Sequence, residues 1–400
     1  MDRSIIVYIE SCFLVSKGTY NFVLDFNTGA DFEAFSSVMN VKDTGSYLVE
    51  ILGYQSNKRL RSDTYHSLSL DYLRQAKYLP SEDNTAFCAR FDFSQCKKDD
   101  NNTLLKSHPK LYAHLGYSVT FSVPCGLFPE LPVSEMCEKG LFLRVNSVGQ
   151  GNWNEIMCGG DVSVVYDIGA DMHASKVYIQ ELIGGRESEY KRSLPVLILS
   201  HWDIDHYICL RELTKECIQQ MFSAFVCPGI IHGITAQKVY EKMEDALNGH
   251  CYALAPAEKT EDPVAQAMLL ESKSSSFLLY KGQRRHNRNR SGLILIVKGV
   301  HRAACLSGDA LLSQTEYVVN HSKISLENIL VVPHHGGDCP VSERHYNLVR
   351  AKCDKAIISV GDNNMYNHPS PLMLEYLMGL FDSVEDMRNR DRINPIIEGL

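Results

Sequence analysis

Between residues 200 and 206 the chain reads Ser200-His201-Trp202-Asp203-Ile204-Asp205-His206, two imidazoles and two carboxylates within six residues. The apolar run Val196–Leu199 leads directly into them. Behind them, Tyr207, Leu210, Leu213, Cys217 and Met221 recur at spacings of three and four, which predicts a helix over Tyr207–Met221. The C-terminal end of a buried strand is where α/β folds put their sites. Charges packed that densely there need a cation or many hydrogen bonds to offset burial. On an extended segment alternate side chains point the same way, so His201, Asp203 and Asp205 converge and His206 turns in at the helix start. The competing reading is a polar loop with Asp205 as helix N-cap, which leaves the two histidines unexplained. The chemistry expected is divalent-metal binding.

Three further pieces lie downstream. Cys305-Leu306-Ser307-Gly308-Asp309 ends an apolar run in a Gly-Asp, offering a carboxylate able to bridge two metals. Val331-Val332-Pro333-His334-His335-Gly336-Gly337 ends another in paired histidines, and histidine is the commonest metal ligand. The run Ala356–Val360 leads through Gly361-Asp362 to His368-Pro369. Alone, a Gly-Asp is a turn and a single histidine a surface residue; the series gives them weight.

Just ahead of a core strand, Lys281 to Arg290 carries five Lys/Arg in ten residues and no acid. Arg284, Arg285, Arg288 and Arg290 are therefore candidate phosphate contacts, against the equal alternative of a solvated hairpin. Trp202 either stacks on a base or packs in the core beneath the metal loop.

The elements that must carry these residues are short β-type runs: Phe142–Val145, Val162–Tyr166, Val196–Leu199, Phe222–Val226, Leu293–Val297, Ala304–Leu306, Ile329–Val332 and Ala356–Val360. Helices are expected over Thr235–Asn248 and Pro369–Leu380, so residues 141–400 read as a layered α/β domain. Residues 1–140 read as a separate α+β accessory domain. Strands are expected there at Ile5–Val15, Asn21–Asp25, Tyr47–Leu52 and Ala86–Phe93, a helix at Leu68–Tyr78, and an exposed loop at Lys97–Asn102. Two or three domains suit 400 residues, and 44% apolar content suits a real core. Forty basic against 48 acidic residues gives a formal charge of −8, so contact with nucleic acid requires a local patch. No apolar run approaches the ~18 residues of a membrane span, and the first residues make a poor signal peptide. Thirteen cysteines without a Cys-x-x-Cys pair point to reduced thiols and a cytoplasmic location.

Taken together, residues 141–400 resemble the metallo-β-lactamase superfamily, and within it the nuclease-like domain of ComEC-type competence proteins. The resemblance is carried by Val148-Gly149-Gln150-Gly151, Asp167-Ile168-Gly169, His201 to His206, Asn289 to Leu295 with Gly308-Asp309, His334-His335-Gly336, and Ser359 to Pro369. It implies an αββα four-layer sandwich and a site of one or two divalent metals, Mn or Zn first, Mg or Fe next. His201 and Asp203 would hold one metal and Asp205 and His206 the other, with Asp309 bridging. His334 or His335, with His368, would complete the shells. The implied activity is hydrolysis by a metal-activated water, with Asp205 orienting or deprotonating it and His335 or His368 protonating the leaving group.

The family motif His-x-His-x-Asp-His carries Asp203 at its second histidine, a harder ligand that favours Mn, Mg or Fe over strict zinc use. No histidine between His206 and Asp309 stands in a ligand context; His232 and His250 are the candidates. One-metal catalysis and a degenerate site both stay open. The leading expectation is a phosphodiesterase or nuclease acting on nucleic acid or a nucleotide. Its alternatives are a hydrolase of a small ester or lactone, and a regulatory module that binds a protein partner through residues 1–140.

Overall fold

In the computed structural model the described residues are 3–42, 45–79, 86–96, 104–107, 117–118, 140–255, 268–271, 276–282, 288–322, 327–337, 354–362, 364, 366–388 and 395–400. Lys97–Asn102, Arg284 and Arg285 lie outside them. The chain divides into two compact units: Met1–Ser118 with His173–Tyr178 and Ile230–Glu241, and Val119–Met172 with Ile179–Gly229 and Lys242–Leu400.

The first unit is built on one sheet of strands β1 (Ser4–Ser16), β2 (Thr19–Phe26), β3 (Leu48–Gln55), β4 (Thr64–Ser69), β5 (Lys77–Leu79), β6 (Phe87–Asp92) and β7 (Leu105–Ser107). Their order is β5-β6-β3-β2-β1-β4-β7. Helix α1 (Gly29–Met39) starts where the Thr28 side chain accepts from the Asp31 N–H, and it buries Phe32 and Phe35. These rings meet Phe26 and Phe91 in an aromatic core. The helix expected over Leu68–Tyr78 is a single turn, α2 (Leu70–Leu73), because the chain re-enters the sheet at β5. A short strand β8 (Tyr117–Ser118) pairs with β14 (Ile230–Ile231).

The second unit holds two seven-stranded sheets. The first contains β9 (Leu141–Val145), β10 (Asn154–Cys158), β11 (Asp161–Tyr166), β12 (Val196–Ile198), β13 (Ala224–Pro228), β15 (Cys251–Leu254) and β23 (Ile396–Gly399). The second contains β16 (Met268–Glu271), β17 (Phe277–Lys281), β18 (Leu293–Lys298), β19 (Arg302–Leu306), β20 (Glu327–Val331), β21 (Lys355–Ile358) and β22 (Ser383–Asp386). Alternation along β18 sends Leu293, Leu295 and Val297 into a core shared with Val145, Ile156, Val164, Ile198 and Val226 of the facing sheet.

On the far face of the first sheet, Glu155 of β10 accepts from Tyr190 of α3 (Lys176–Ser193) and pairs with Arg144. Helices α4 (Ile204–Glu212) and α5 (Lys215–Met221) follow β12 in sequence, and α6 (Ile234–Leu247) is divided between the units at Glu241. The continuous helix expected over Tyr207–Met221 is broken at Leu213, where the Thr214 side chain caps the start of α5. A single turn, α7 (Arg288–Ser291), leads into β18. Ile294 and Ile296 of that strand point away from the shared core, onto Leu312, Val318, Met373 and Leu377 of helices α8 (Leu312–His321) and α9 (Pro371–Leu380). The second unit is therefore an αββα sandwich. Among the described residues no helix is long and apolar enough to cross a membrane.

Candidate metal centre

Four parallel strands of the two sheets deliver the polar side chains from their C-terminal ends. Strand β11 runs into Asp167, β12 into Ser200 and His201, β19 into Asp309, and β20 into His334 and His335. Asp205 and His206 occupy the first turn of α4, and Asp203 stands at its N-cap position without making a side-chain cap bond. Close packing of these loops requires small residues. A Cβ on Gly169 would lie 1.7 Å from the Asp205 carbonyl oxygen, and one on Gly308 2.6 Å from Ser200 Cβ. His334 and His335 both adopt left-handed backbone (φ 54° and 52°), a strained conformation for residues with side chains. The His334 N–H bonds the Gly308 carbonyl at 3.1 Å, tying this loop to the Asp309 turn.

Three imidazoles are oriented in the same way. His206 Nδ1 meets the Asp167 carboxylate at 2.8 Å, His201 Nδ1 meets Ser200 Oγ at 2.9 Å, and His335 Nδ1 donates to the Ser359 carbonyl at 2.7 Å. Each ring thereby turns its Nε2 inward, and all three Nε2 atoms are buried without a hydrogen-bond partner, as is Asp309 Oδ1. His206 Nε2 is 3.2 Å and His335 Nε2 3.8 Å from Asp309 Oδ1; His201 Nε2 is 3.7 Å from Asp309 Oδ2. Asp205 Oδ2 stands 3.4 Å from His335 Nε2. Among the described residues, two groups offer ligand atoms within 4.8 Å of one another: His201, His206, Asp309, and Asp205, His206, His335. Buried imidazole and carboxylate atoms that converge without hydrogen-bond partners are a donor set that fits a divalent cation.

The electrostatics follow. Burial disfavours the His206 cation, yet Asp309, Asp167 and Asp205 outweigh it and lift its pKa well above the usual imidazole value. Burial raises Asp309, but His334, His206 and His201 pull it well below the carboxylate range. Burial likewise opposes the charge on His334, while Asp309, 2.5 Å from its Nδ1, pushes it up to about 9.

Other expected site residues make contacts of a different kind. Asp203 faces His201 Nε2 at 3.3 Å through one oxygen and forms an ion pair with Arg288 Nε at 2.9 Å through the other. Arg288, expected to contact phosphate, is buried, with a second nitrogen donating to the Trp202 carbonyl at 2.6 Å. A charge run in sequence thus hides a core ion pair, and only Arg290 of the described basic residues near it is exposed. Trp202 is 1% exposed, donates to the Pro228 carbonyl and packs on Tyr207 and Phe225; it is a core residue, not a base platform. His368 belongs to neither ligand group. Asn364 clasps its backbone N–H and carbonyl, and its ring lies 5.2 Å from that of His334. Burial, then His334 and His335, push its pKa down to about 3.

His232 stacks on Tyr8 and hydrogen-bonds Tyr65 in the first unit, and His250 is exposed. Asp167 is not among the ligands or catalytic groups that the sequence suggests, yet it organises the site. It accepts from the Ser200 N–H, the Ser200 hydroxyl and Asn152 besides holding His206. Its sequence signal is the Asp-Ile-Gly that closes an apolar run.

An αββα sandwich with these polar side chains on its C-terminal loops is the metallo-β-lactamase fold. No protein-family profile and no curated protein matches the chain. Among solved structures it is similar to YhfI, a metallo-β-lactamase fold protein from Bacillus subtilis. The two are 12% identical, with the match covering 64% of this chain and 99% of that one at a TM-score of 0.38. CmlA, a diiron β-hydroxylase from Streptomyces venezuelae, is 14% identical over 64% of this chain and 54% of its own, with a TM-score of 0.35. A long-form RNase Z from yeast is 9% identical over 75% and 46%, also at 0.35.

Proposed function

We propose that this chain is a metal-dependent hydrolase, and more narrowly a phosphodiesterase acting on nucleic acid or a nucleotide. The observation that carries the reading is the set of four buried, unpartnered ligand atoms on His201, His206, His335 and Asp309. His206, His335, Asp205 and Asp309 would hold the cation, Mn²⁺ or Zn²⁺, with His201 and Asp203 on its other side. A divalent cation there supplies Lewis acidity and neutralises charge that develops on a phosphoryl group.

The protein's own groups do the rest. Asp167, Ser200 and Ser359 fix the imidazoles. Asp205 accepts the proton of the attacking water. His334, held protonated by Asp309 and one-third exposed, lines the mouth beside neutral His368, and the leaving group takes its proton from this pair. Arg290, with Arg284 and Arg285, meets the substrate's phosphates, and residues 1–140 are an accessory domain that binds a partner.

The experiment is hydrolysis of bis-p-nitrophenyl phosphate, single-stranded DNA and RNA, and p-nitrophenyl acetate by Mn²⁺- or Zn²⁺-loaded protein. Turnover of the phosphodiesters alone is the expected result. Turnover of the acetate alone would replace this reading with an esterase.

A further inference from the structure

The two halves of the cluster around Asp309 are not equivalent. On one side, His206 and His335 face Asp309 Oδ1 with Asp205 beside His335, and the two imidazole nitrogens and that oxygen are all buried without hydrogen bonds. On the other side His201 Nε2 is orphaned too, but the carboxylates beside it are already engaged. Asp309 Oδ2 lies 2.5 Å from His334 Nδ1 and 3.5 Å from Asn289 Nδ2. Asp203 is ion-paired with Arg288, a guanidinium that is 4% exposed and anchored on the Trp202 carbonyl. Of the described histidines between His206 and Asp309, His232 is engaged by Tyr8 and Tyr65, and His250 and His301 are exposed, so none of them adds a third imidazole.

An arginine cannot deprotonate in a protein, and a guanidinium is the cation best matched to a buried carboxylate. Its fixed charge neutralises Asp203 and repels a dication beside His201.

We infer that the site takes one divalent cation, in the Asp205–His206–His335–Asp309 half, and that Arg288, paired with Asp203, stands where a second cation would bind. The inference rests on the metal reading above and adds the count, the location and the reason. Asp203 then serves as the counter-ion of a buried arginine.

The test is metal stoichiometry of the full chain after dialysis against Zn²⁺ or Mn²⁺, by plasma mass spectrometry, with electron paramagnetic resonance of the Mn²⁺ form. The expected result is one equivalent and the six-line spectrum of isolated Mn²⁺. His335→Ala should lose that equivalent, and His201→Ala should keep it. Arg288→Met should gain a second equivalent with an exchange-coupled spectrum, whereas Arg288→Lys, which keeps the charge, should stay at one. Two equivalents in the wild type, or loss of the single one in folded His201→Ala, would overturn the inference. A folded Arg288→Met that still binds one would remove the role given to Arg288. If Arg288→Met does not fold, the wild-type count and His201→Ala decide. No metal in the wild type would instead refute the hydrolase reading itself.

Discussion

Asp167 touches no substrate, yet its replacement by asparagine should weaken metal binding for a reason that can be worked atom by atom. One carboxylate oxygen accepts from the Ser200 backbone N–H at 2.6 Å, and the other faces Ser200 Oγ, Asn152 Nδ2 and His206 Nδ1, each at 2.8 Å. In Asp167→Asn the backbone donor keeps the amide oxygen on its side, so the new NH₂ must face Asn152 and His206. Two amide donors then oppose each other, which costs about 1–3 kcal/mol for the group left unpaired. The imidazole Nδ1 must become an acceptor, placing the proton on Nε2, where it blocks ligation. Loss of a carboxylate that orients a ligand histidine lowers metal affinity by about 10–100-fold, or roughly 1.4–2.7 kcal/mol at 1.36 per decade. The assay is competition for Zn²⁺ against a fluorescent chelator, with circular dichroism to establish folding. A folded variant whose affinity stays within twofold of wild type would refute the claim that Asp167 sets the His206 tautomer.

Other consequences are open to measurement. Asp309→Ala should abolish both metal retention and turnover while its circular dichroism stays that of the wild type, since this residue serves the cluster more than the core. Trp202→Ala should cost about 3–5 kcal/mol in urea unfolding; a drop in nucleic-acid affinity at unchanged stability would restore the base-stacking role. Replacing Arg284, Arg285 and Arg290 with alanine should lower the salt slope of nucleic-acid binding by about 1 for each phosphate that the variant no longer neutralises. An unchanged slope would mark the run as a solvated hairpin.

In the first unit, burial raises the pKa of Glu50, but His173 and Arg90 outweigh it and the net shift is downward. A depressed carboxylate contributes stability that is present above its unfolded pKa and lost as pH falls through the folded one. Acid unfolding monitored from pH 6 to pH 2 should therefore show a destabilising limb below about 4.5, the usual glutamate value. Glu50→Gln should flatten that limb, and an identical limb in the variant would contradict the assignment.

The candidate site is legible in the sequence because its candidate ligands sit on short loops directly after apolar runs, so His201, Asp205, His206 and Asp309 are close in space for the same reason that they follow strands. The cores of β11, β12, β18, β19, β20 and β21 can be read from the same runs. Arg288 cannot, because a buried arginine inside a basic run looks like any exposed one until Asp203 is seen across from it. Nor is α3 visible: it buries Ile179, Ile183 and Tyr190 among charged residues, and its Glu189 and Arg186 serve the buried Glu155–Arg144 pair rather than solvent alone. Helix α1 is obscured because Gly29, Ala30, Ser36 and Ser37 dilute the apolar stripe that Phe32 and Phe35 begin. The single turn at Leu70–Leu73 shows sheet pairing overriding a helical spacing, as tertiary contacts commonly do.

The central claim is that the orphaned ligand atoms around Asp309 hold a catalytic cation. Its most direct test is turnover of bis-p-nitrophenyl phosphate by the chelator-stripped full chain before and after adding Mn²⁺ or Zn²⁺, with bound metal quantified in the same samples. The expected result is no turnover without metal, recovery with it in the wild type, and neither metal nor recovery in Asp309→Ala. Turnover that survives complete stripping, or a wild type that retains no cation and recovers with none, would contradict it.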